Sequence, residues 1–316
     1  KNLDYVSDVS LSTAGGAATA SVGDYAIAAA NATGFGLSNY TINYVNGNLN
    51  VLPAALLITA DTFSKTYGGT HIFDSSDYSV YGLKNSDTVT SVDLTSAGAA
   101  ATANVGLYGI FGSNAAGAGL TNYAIVYVPG LMLVNPALLT ITAQDQGKTY
   151  GTALDLGTTA FDVTGLKNSD TVNGATLASA GAAGTANVGT YGITASNATG
   201  SGLSNYTISY VDGVLNVGKA ALTLTANNAA KTYGSALAFN GTEYTLGGTL
   251  YNGDTVNGAT LASAGAAGTA NVGTYGITAS NATGSGLTNY DISYVDGVLN
   301  VGKAALTLTA NNAAKT

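Results

Sequence analysis

Gly147-Lys148-Thr149 carries the residue types that close a phosphate-binding loop, where backbone N–H groups and a lysine cradle a polyphosphate. That loop also needs a glycine five residues before its Gly-Lys, and this chain has Thr142 there. The equivalent stretches read Ser64-Lys65-Thr66 and Ala230-Lys231-Thr232, so nucleotide chemistry is not expected. Gly34-Phe35-Gly36, Gly117-Ala118-Gly119 and Gly200-Ser201-Gly202 open like a dinucleotide fingerprint, but Asn39, Asn122 and Asn205 replace the third glycine. They read as turns. A nucleophilic triad needs a base, and His71, the single histidine, reads as an exposed loop residue.

Three further residue sets recur in register. Asp87, Asp170 and Asp254 follow Asn-Ser or Asn-Gly, where aspartate commonly bonds nearby backbone and fixes a turn. No Asp-x-Asp cluster accompanies them, which argues against a calcium cage. Lys65, Lys148 and Lys231 are placed to crosslink with an asparagine, but the glutamate such isopeptide bonds commonly require is missing. Asn31-Ala-Thr33, Asn197-Ala-Thr199 and Asn281-Ala-Thr283 fit the glycosylation sequon, a cheap pattern in an Asn/Thr-rich chain. The sequence therefore assigns no catalytic, cofactor-binding or metal-binding residue, no cofactor, and no enzymatic activity.

What recurs is the scaffold itself. Asn-Tyr places Tyr40, Tyr123, Tyr206 and Tyr290 at intervals of 83, 83 and 84 residues. Val-Gly-x-Tyr keeps the same intervals at Tyr25, Tyr108, Tyr191 and Tyr275, and Lys-Thr-Tyr-Gly places Tyr67, Tyr150 and Tyr233 another 83 apart. Such a period defines a tandem array, longer than a solenoid coil and long enough for each copy to own a small core. Boundaries fall at residues 1–52 (a first module without its opening strand and Lys-Thr-Tyr-Gly), 53–135, 136–218 and 219–302. Residues 303–316 repeat an opening strand. Lys1 aligns with Lys84 and Lys167, so both ends read as cuts within a longer protein.

Each module reads as β structure. Ala221-Leu-Thr-Leu-Thr-Ala226 alternates with the period of a half-buried strand, and no helical spacing persists anywhere. In Tyr206–Val217 the pair Asp212-Gly213 signals a two-residue hairpin turn. That hairpin pairs Tyr210 with Leu215 and Ile208 with Val217, all four on the core face. At the second copy the turn is Pro129-Gly130, and a type II-like or widened turn is expected there because proline cannot take positive φ. Ser179–Ala186 is too small and glycine-rich for a large core and reads as a loop or flat edge strand. Most of the 20 tyrosines occupy strand positions and are expected to pack. Tyr191, in Gly-x-Tyr entering a strand, resembles a tyrosine corner whose hydroxyl ties back to backbone. The fold class is all-β: a tandem array of small antiparallel modules, β-grasp-like or Ig-like sandwich, in an elongated rod of roughly 120 Å at about 30 Å per module.

Only 8% of residues are charged, and the net charge of −8 argues against nucleic acid and anionic lipid. No cysteine is present, excluding disulfides and thiolate metal sites, and no apolar run suffices for a membrane helix.

Ala-Leu-Thr-Leu-Thr-Ala, Lys-Thr-Tyr-Gly, Asn-Val-Gly-Thr-Tyr and Asn-Tyr-Thr-Ile-Ser-Tyr-Val-Asp-Gly-Val-Leu, in that order, resemble the MBG/YDG-type repeats of large bacterial surface adhesins of the filamentous-haemagglutinin-like kind. The resemblance spans essentially the whole chain. It implies secretion to the bacterial cell surface and a stalk or adhesive role, and it supplies no catalytic residues. The leading expectation is a stalk projecting an adhesive tip. Alternatives are multivalent modules for glycans or a matrix polymer, and a filament of copies joined end to end. In the last case the tail Lys303–Thr316 would add a strand to the incomplete first module.

Overall fold

The computed structural model describes residues 3–315, which leaves Lys1, Asn2 and Thr316 outside. Among the described residues all regular structure is strand, punctuated only by three-residue 3-10 turns. The residues form two compact units. The first runs through Leu138 and adds Gly165–Asp170 and Gly202–Thr207; the second holds Leu139–Thr164, Thr171–Ser201 and the described residues from Ile208 onward. The second repeat lies wholly in the first unit and the fourth wholly in the second, so these two display a complete module.

In the fourth repeat the seven strands are β1 (Ala220–Ala226), β2 (Ala229–Thr232), β3 (Tyr244–Gly248), β4 (Thr255–Ala262), β5 (Gly273–Ser285), β6 (Tyr290–Val295) and β7 (Gly297–Gly302). They make a three-stranded sheet ordered β3-β1-β6 and a four-stranded sheet ordered β2-β7-β5-β4. The second repeat has the same two sheets, with β1 at Ala54–Ala60 and β7 at Gly130–Asn135. Alternation drives this packing. Leu224 from β1, Ile277 from β5 and Leu299 and Val301 from β7 are buried in one cluster, so both sheets turn their apolar faces to a shared core. Two sheets on one core, with no α-helix among the described residues, is the sandwich member of the two expected architectures.

The pairing is mixed rather than antiparallel throughout. β1 runs parallel to β6, Ala220 opposite Tyr290 through Thr225 opposite Val295, and β2 runs parallel to β7. Such partners stand some 70 residues apart, and a local turn signal cannot announce them.

The closing hairpin does not form. Its first half is β6 of one sheet and its second half is β7 of the other, so Asp-Gly marks a crossing between sheets. In the third repeat Leu215 pairs with Tyr191 and Val217 with Gly189, not with Tyr210 and Ile208. The face assignment survives: Leu215 and Val217 are buried, and Ile208 and Tyr210 pack against the same core. Gly130, Gly213 and Gly297 all avoid positive φ, so the type II-like turn expected at Pro129 has no counterpart either. Glycine is needed at Gly213 for close approach instead. A Cβ there would press on the carbonyl oxygens of Ala143 and Gln144.

Two local devices complete the module. The Gly/Ala/Ser stretch is a 3-10 turn, Ala264–Ala266, capped by Ser263 Oγ accepting the Gly265 N–H at 3.2 Å. Tyr275 lies flat over Gly265, where an added Cβ would come within 2.6 Å of the ring. Further on, β5 bulges against β4 at Asn281, whose φ is +48°. The bulge releases the Ala282 N–H, which donates to the Tyr294 hydroxyl at 2.9 Å. Asn31, Asn114 and Asn197 hold the same left-handed conformation, so the sequon-like Asn is a bulge residue.

The first repeat carries three strands, Tyr5–Ser12, Gly23–Phe35 and Gly47–Val51, equivalent to β4, β5 and β7. Thr41–Asn46 and residues 303–315 carry no strand.

Candidate functional site at the repeat junctions

The recurrent aspartates do more than fix turns. In the first unit Asp170 Oδ2 accepts two tyrosine hydroxyls, from Tyr206 at 2.7 Å and from Tyr67 at 2.8 Å. Tyr206 belongs to the same repeat as Asp170, while Tyr67 belongs to the repeat before. In the second unit Asp254 repeats the arrangement with Tyr290 at 3.0 Å and Tyr150 at 2.8 Å. The rings meet edge to face, with centroids 5.5 Å apart for Tyr67–Tyr206 and 5.6 Å for Tyr150–Tyr290. All four tyrosines are buried. The same hydroxyls also accept backbone N–H groups: Lys167 donates to Tyr206 and Tyr251 to Tyr290, both at 2.7 Å.

Glycine chemistry shapes this latch. Gly202 and Gly286, the second glycines of Gly-x-Gly, take φ of +71° and +70° and open the 3-10 turns before Tyr206 and Tyr290. A Cβ at either would overlap the carboxylate of Asp170 or Asp254. The glycine of Tyr-Gly serves the other side. Gly68 and Gly151 both have φ of +86°, and the next repeat's Lys167 and Tyr251 pack over them.

A second contact closes beside the first. Asn205 and Asn289 are buried, so their amides must be satisfied. Asn205 Oδ1 accepts the Val105 N–H at 2.9 Å and its Nδ2 donates to Asn104 Oδ1 at 3.1 Å. Asn289 does the same with Val188 and Asn187 at 2.9 and 3.1 Å. Asn168 Nδ2 reaches the Ala101 carbonyl, and Asn252 Nδ2 the Gly184 carbonyl. The Asn-Tyr dipeptide that marks the repeat in sequence is therefore also the pair that grips the repeat before it.

Burial is the main cause that pushes the Tyr206 hydroxyl up to about 12, with the bond to Asp170 second. Burial likewise raises Tyr290. An unfolded tyrosine ionises near 10. The folded state thus holds a proton that the unfolded state gives up. This contribution to stability is complete below about pH 10 and drains away as pH rises through about 12. The expected result is a late-titrating class of phenols in an ultraviolet absorbance titration, smaller by one in Tyr206→Phe.

The remaining sequence candidates are structural. Lys148 Nζ donates to the carbonyls of Thr152, at 2.8 Å, and Ala183. Lys65 and Lys231 make the equivalent bonds to Gly69 and Ala100, and to Ser235 and Ala267. The lysines tie turns together within their own repeats. Tyr191 bonds the Asn187 carbonyl four residues back at 2.9 Å, in the manner of a tyrosine corner, and Tyr25, Tyr108 and Tyr275 do likewise. His71 is not an exposed loop residue. It is 25% exposed, lies between Phe63 and Phe73 with centroids at 4.6 and 4.9 Å, and points Nε2 toward Asp77 at 3.3 Å. The apolar neighbours Phe63 and Phe73 draw the ring inward. Among the described residues no group of three or more His, Cys, Asp or Glu could hold a metal ion, and no helix is long and apolar enough to cross a membrane.

Neighbouring residues alone point the aspartates to local turns, because the tyrosine partners of Asp170 are 36 and 103 residues away. A signal was present. Tyr150 to Asp254 spans 104 residues where Tyr67 to Asp170 spans 103, which absorbs the one-residue insertion while the latch is kept.

The family model described as MBG domain (YGX type) matches residues 56–133, 139–216 and 222–300, and each match contains one of the three Lys-Thr-Tyr-Gly runs. No curated protein matches the chain. Among solved structures, Drosophila N-cadherin EC1-4 is similar at 9% identity and a TM-score of 0.26, over 96% of this chain and 92% of that one. Surface layer protein SbsC, domains 1-6, is similar at 13% identity and a TM-score of 0.19, over 96% of this chain and 49% of that one. Scores this low carry no structural or functional inference.

Proposed function

Because the chain belongs to the MBG domain family of the YGX type, with three tandem matches, we propose that it is a spacer segment of an extracellular, cell-surface protein of bacteria. Its task is to hold an adhesive part away from the cell rather than to catalyse or to bind by itself. The observation that carries this reading is redundancy joined to a built junction. Asn168–Thr232 and Asn252–Thr316 differ only at Ser169/Gly253, Ser204/Thr288 and Thr207/Asp291, and none of the three replaces a latch aspartate, asparagine or tyrosine. Such copies leave no place for a unique recognition site, while the Tyr–Asp–Tyr latch ties a residue of one repeat to residues of the next through buried hydrogen bonds.

Tandem MBG repeats fit an extracellular repeat module, and the sparse charge and absence of cysteine are compatible with that setting. A glycan array tests the reading. The chain is expected to bind no glycan by itself, and saturable binding to any immobilised glycan would overturn it.

A further inference from the structure

Five Asn-Gly pairs occur in the chain, and one of them sits beside the latch. Asn252 lies in the turn that the Asp254 N–H closes on the Tyr251 carbonyl at 2.8 Å. Its Nδ2 donates to the Gly184 carbonyl of the preceding repeat at 3.1 Å. At the same place the two earlier copies read Asn85-Ser86 and Asn168-Ser169, so Gly253 belongs to the junction of the third and fourth repeats alone. Asn-Gly is the context in which an asparagine loses its side-chain amide most readily. Glycine offers the next backbone nitrogen with no β-carbon to hinder its approach.

The surroundings leave this pair free to react. Asn252 and Gly253 are both exposed, in the turn between β3 and β4, with φ of +55° and +78°. Among the described residues the Gly253 N–H donates to no acceptor. A Cβ built on Gly253 would meet nothing within 4 Å, so base and water reach the nitrogen. The other four pairs are held. Asn173-Gly174 and Asn257-Gly258 lie inside strands and Asn46-Gly47 enters one, where pairing fixes the backbone that ring closure must turn. At Asn240-Gly241 the Gly241 N–H donates to the Glu243 carboxylate at 3.0 Å.

We propose that Asn252 is a site of spontaneous deamidation, which loosens the junction of the third and fourth repeats with time. Base removes the Gly253 N–H proton, and the nitrogen bonds to Asn252 Cγ. The Cγ–Nδ2 bond then breaks and ammonia leaves, carrying a proton from water. Water next opens the cyclic imide at either carbonyl and leaves aspartate or isoaspartate. Both products lack the Nδ2 donor, so the Gly184 carbonyl loses its partner and meets a carboxylate instead. Isoaspartate also lengthens the main chain by one methylene, two residues before Asp254, whose Oδ2 holds Tyr150 and Tyr290.

Ageing the full chain in mildly alkaline buffer, followed by peptide mass spectrometry, tests this. Fragments carrying Ser169 and Gly253 differ in mass, so one digest reads Asn168 and Asn252 side by side. Conversion of amide to acid is expected to run several-fold faster at Asn252, with isoaspartate detected there by an isoaspartyl methyltransferase. Gly253→Ser restores the pair already accommodated at Asn168-Ser169 and should lower the conversion to the level of Asn168. The aged chains that have gained a negative charge at Asn252 are separated by ion exchange and examined by hydrogen exchange. In them the Val188 amide, which donates to Asn289 Oδ1 at the same junction, should lose protection relative to the unmodified fraction. Equal conversion at Asn168 and Asn252, unchanged conversion in Gly253→Ser, or full protection of Val188 in the modified fraction would each overturn the proposal. The comparison of Asn168 with Asn252 needs no altered protein, so it stands even where the variant folds poorly.

Discussion

Asp254→Ala is expected to destabilise the junction of the third and fourth repeats by about 3 kcal/mol. The carboxylate accepts the hydroxyls of Tyr150 and Tyr290, both 2% exposed, so its removal strands two donors away from water. Each buried donor left without a partner costs about 1–3 kcal/mol. Hydrogen exchange is the suitable measurement, because a tandem array need not unfold in one step. The amides of Tyr251 and Val188, which donate to Tyr290 and Asn289, should lose protection together. Asp87→Ala supplies an internal comparison. It strands only the Tyr123 hydroxyl, so its cost should be roughly half as large. Equal effects at the two positions would show that the second tyrosine contributes nothing.

Leu299→Ala should cost about 3–4 kcal/mol within the fourth repeat. Leu299 is fully buried between the two sheets, packed with Leu224, Ile277 and Val301. Truncation removes apolar contact from both sheets at once, and a backbone held by two neighbouring strands cannot collapse into the void. Its neighbour Val298 points outward at 37% exposure, and Val298→Ala should stay within about 0.5 kcal/mol. Urea unfolding followed by tyrosine fluorescence separates the two, and similar midpoints would refute the inward and outward assignment.

The faces of the strands were legible in the sequence, but their partners were not. Alternation in Tyr206–Val217 correctly turned Ile208, Tyr210, Leu215 and Val217 inward. It could not say that the two halves belong to different sheets, because side chains reaching one core from opposite sides alternate in the same way as those of a hairpin. Asp212-Gly213 favoured the hairpin, since glycine at a turn and glycine at a close backbone approach look alike in sequence. The turn of Ala180–Ala182 was unreadable for a related reason: what fixes it is the ring of Tyr191 over Gly181. The junction was written plainly in residue type and spacing, as Asn-Tyr, Lys-Thr-Tyr-Gly and the aspartates in step. Its meaning stayed hidden because it is shared between copies, and reading one copy at a time reduces Asp170 to a turn residue. The tyrosine corner was read correctly because its bond spans only four residues.

The compact units do not follow the period of the sequence. Gly165–Asp170 and Gly202–Thr207, two loops of the third repeat, belong with the second. A latch of this kind is half in each copy, and both halves are present in every full copy. Inserting or excising one whole period therefore rejoins a left half to a right half of the same make, whichever copies are involved. Copy number can change by recombination between near-identical neighbours with no compensating substitution at the new seam. A cut that removed a tyrosine and kept its aspartate would instead leave half a latch open at the seam.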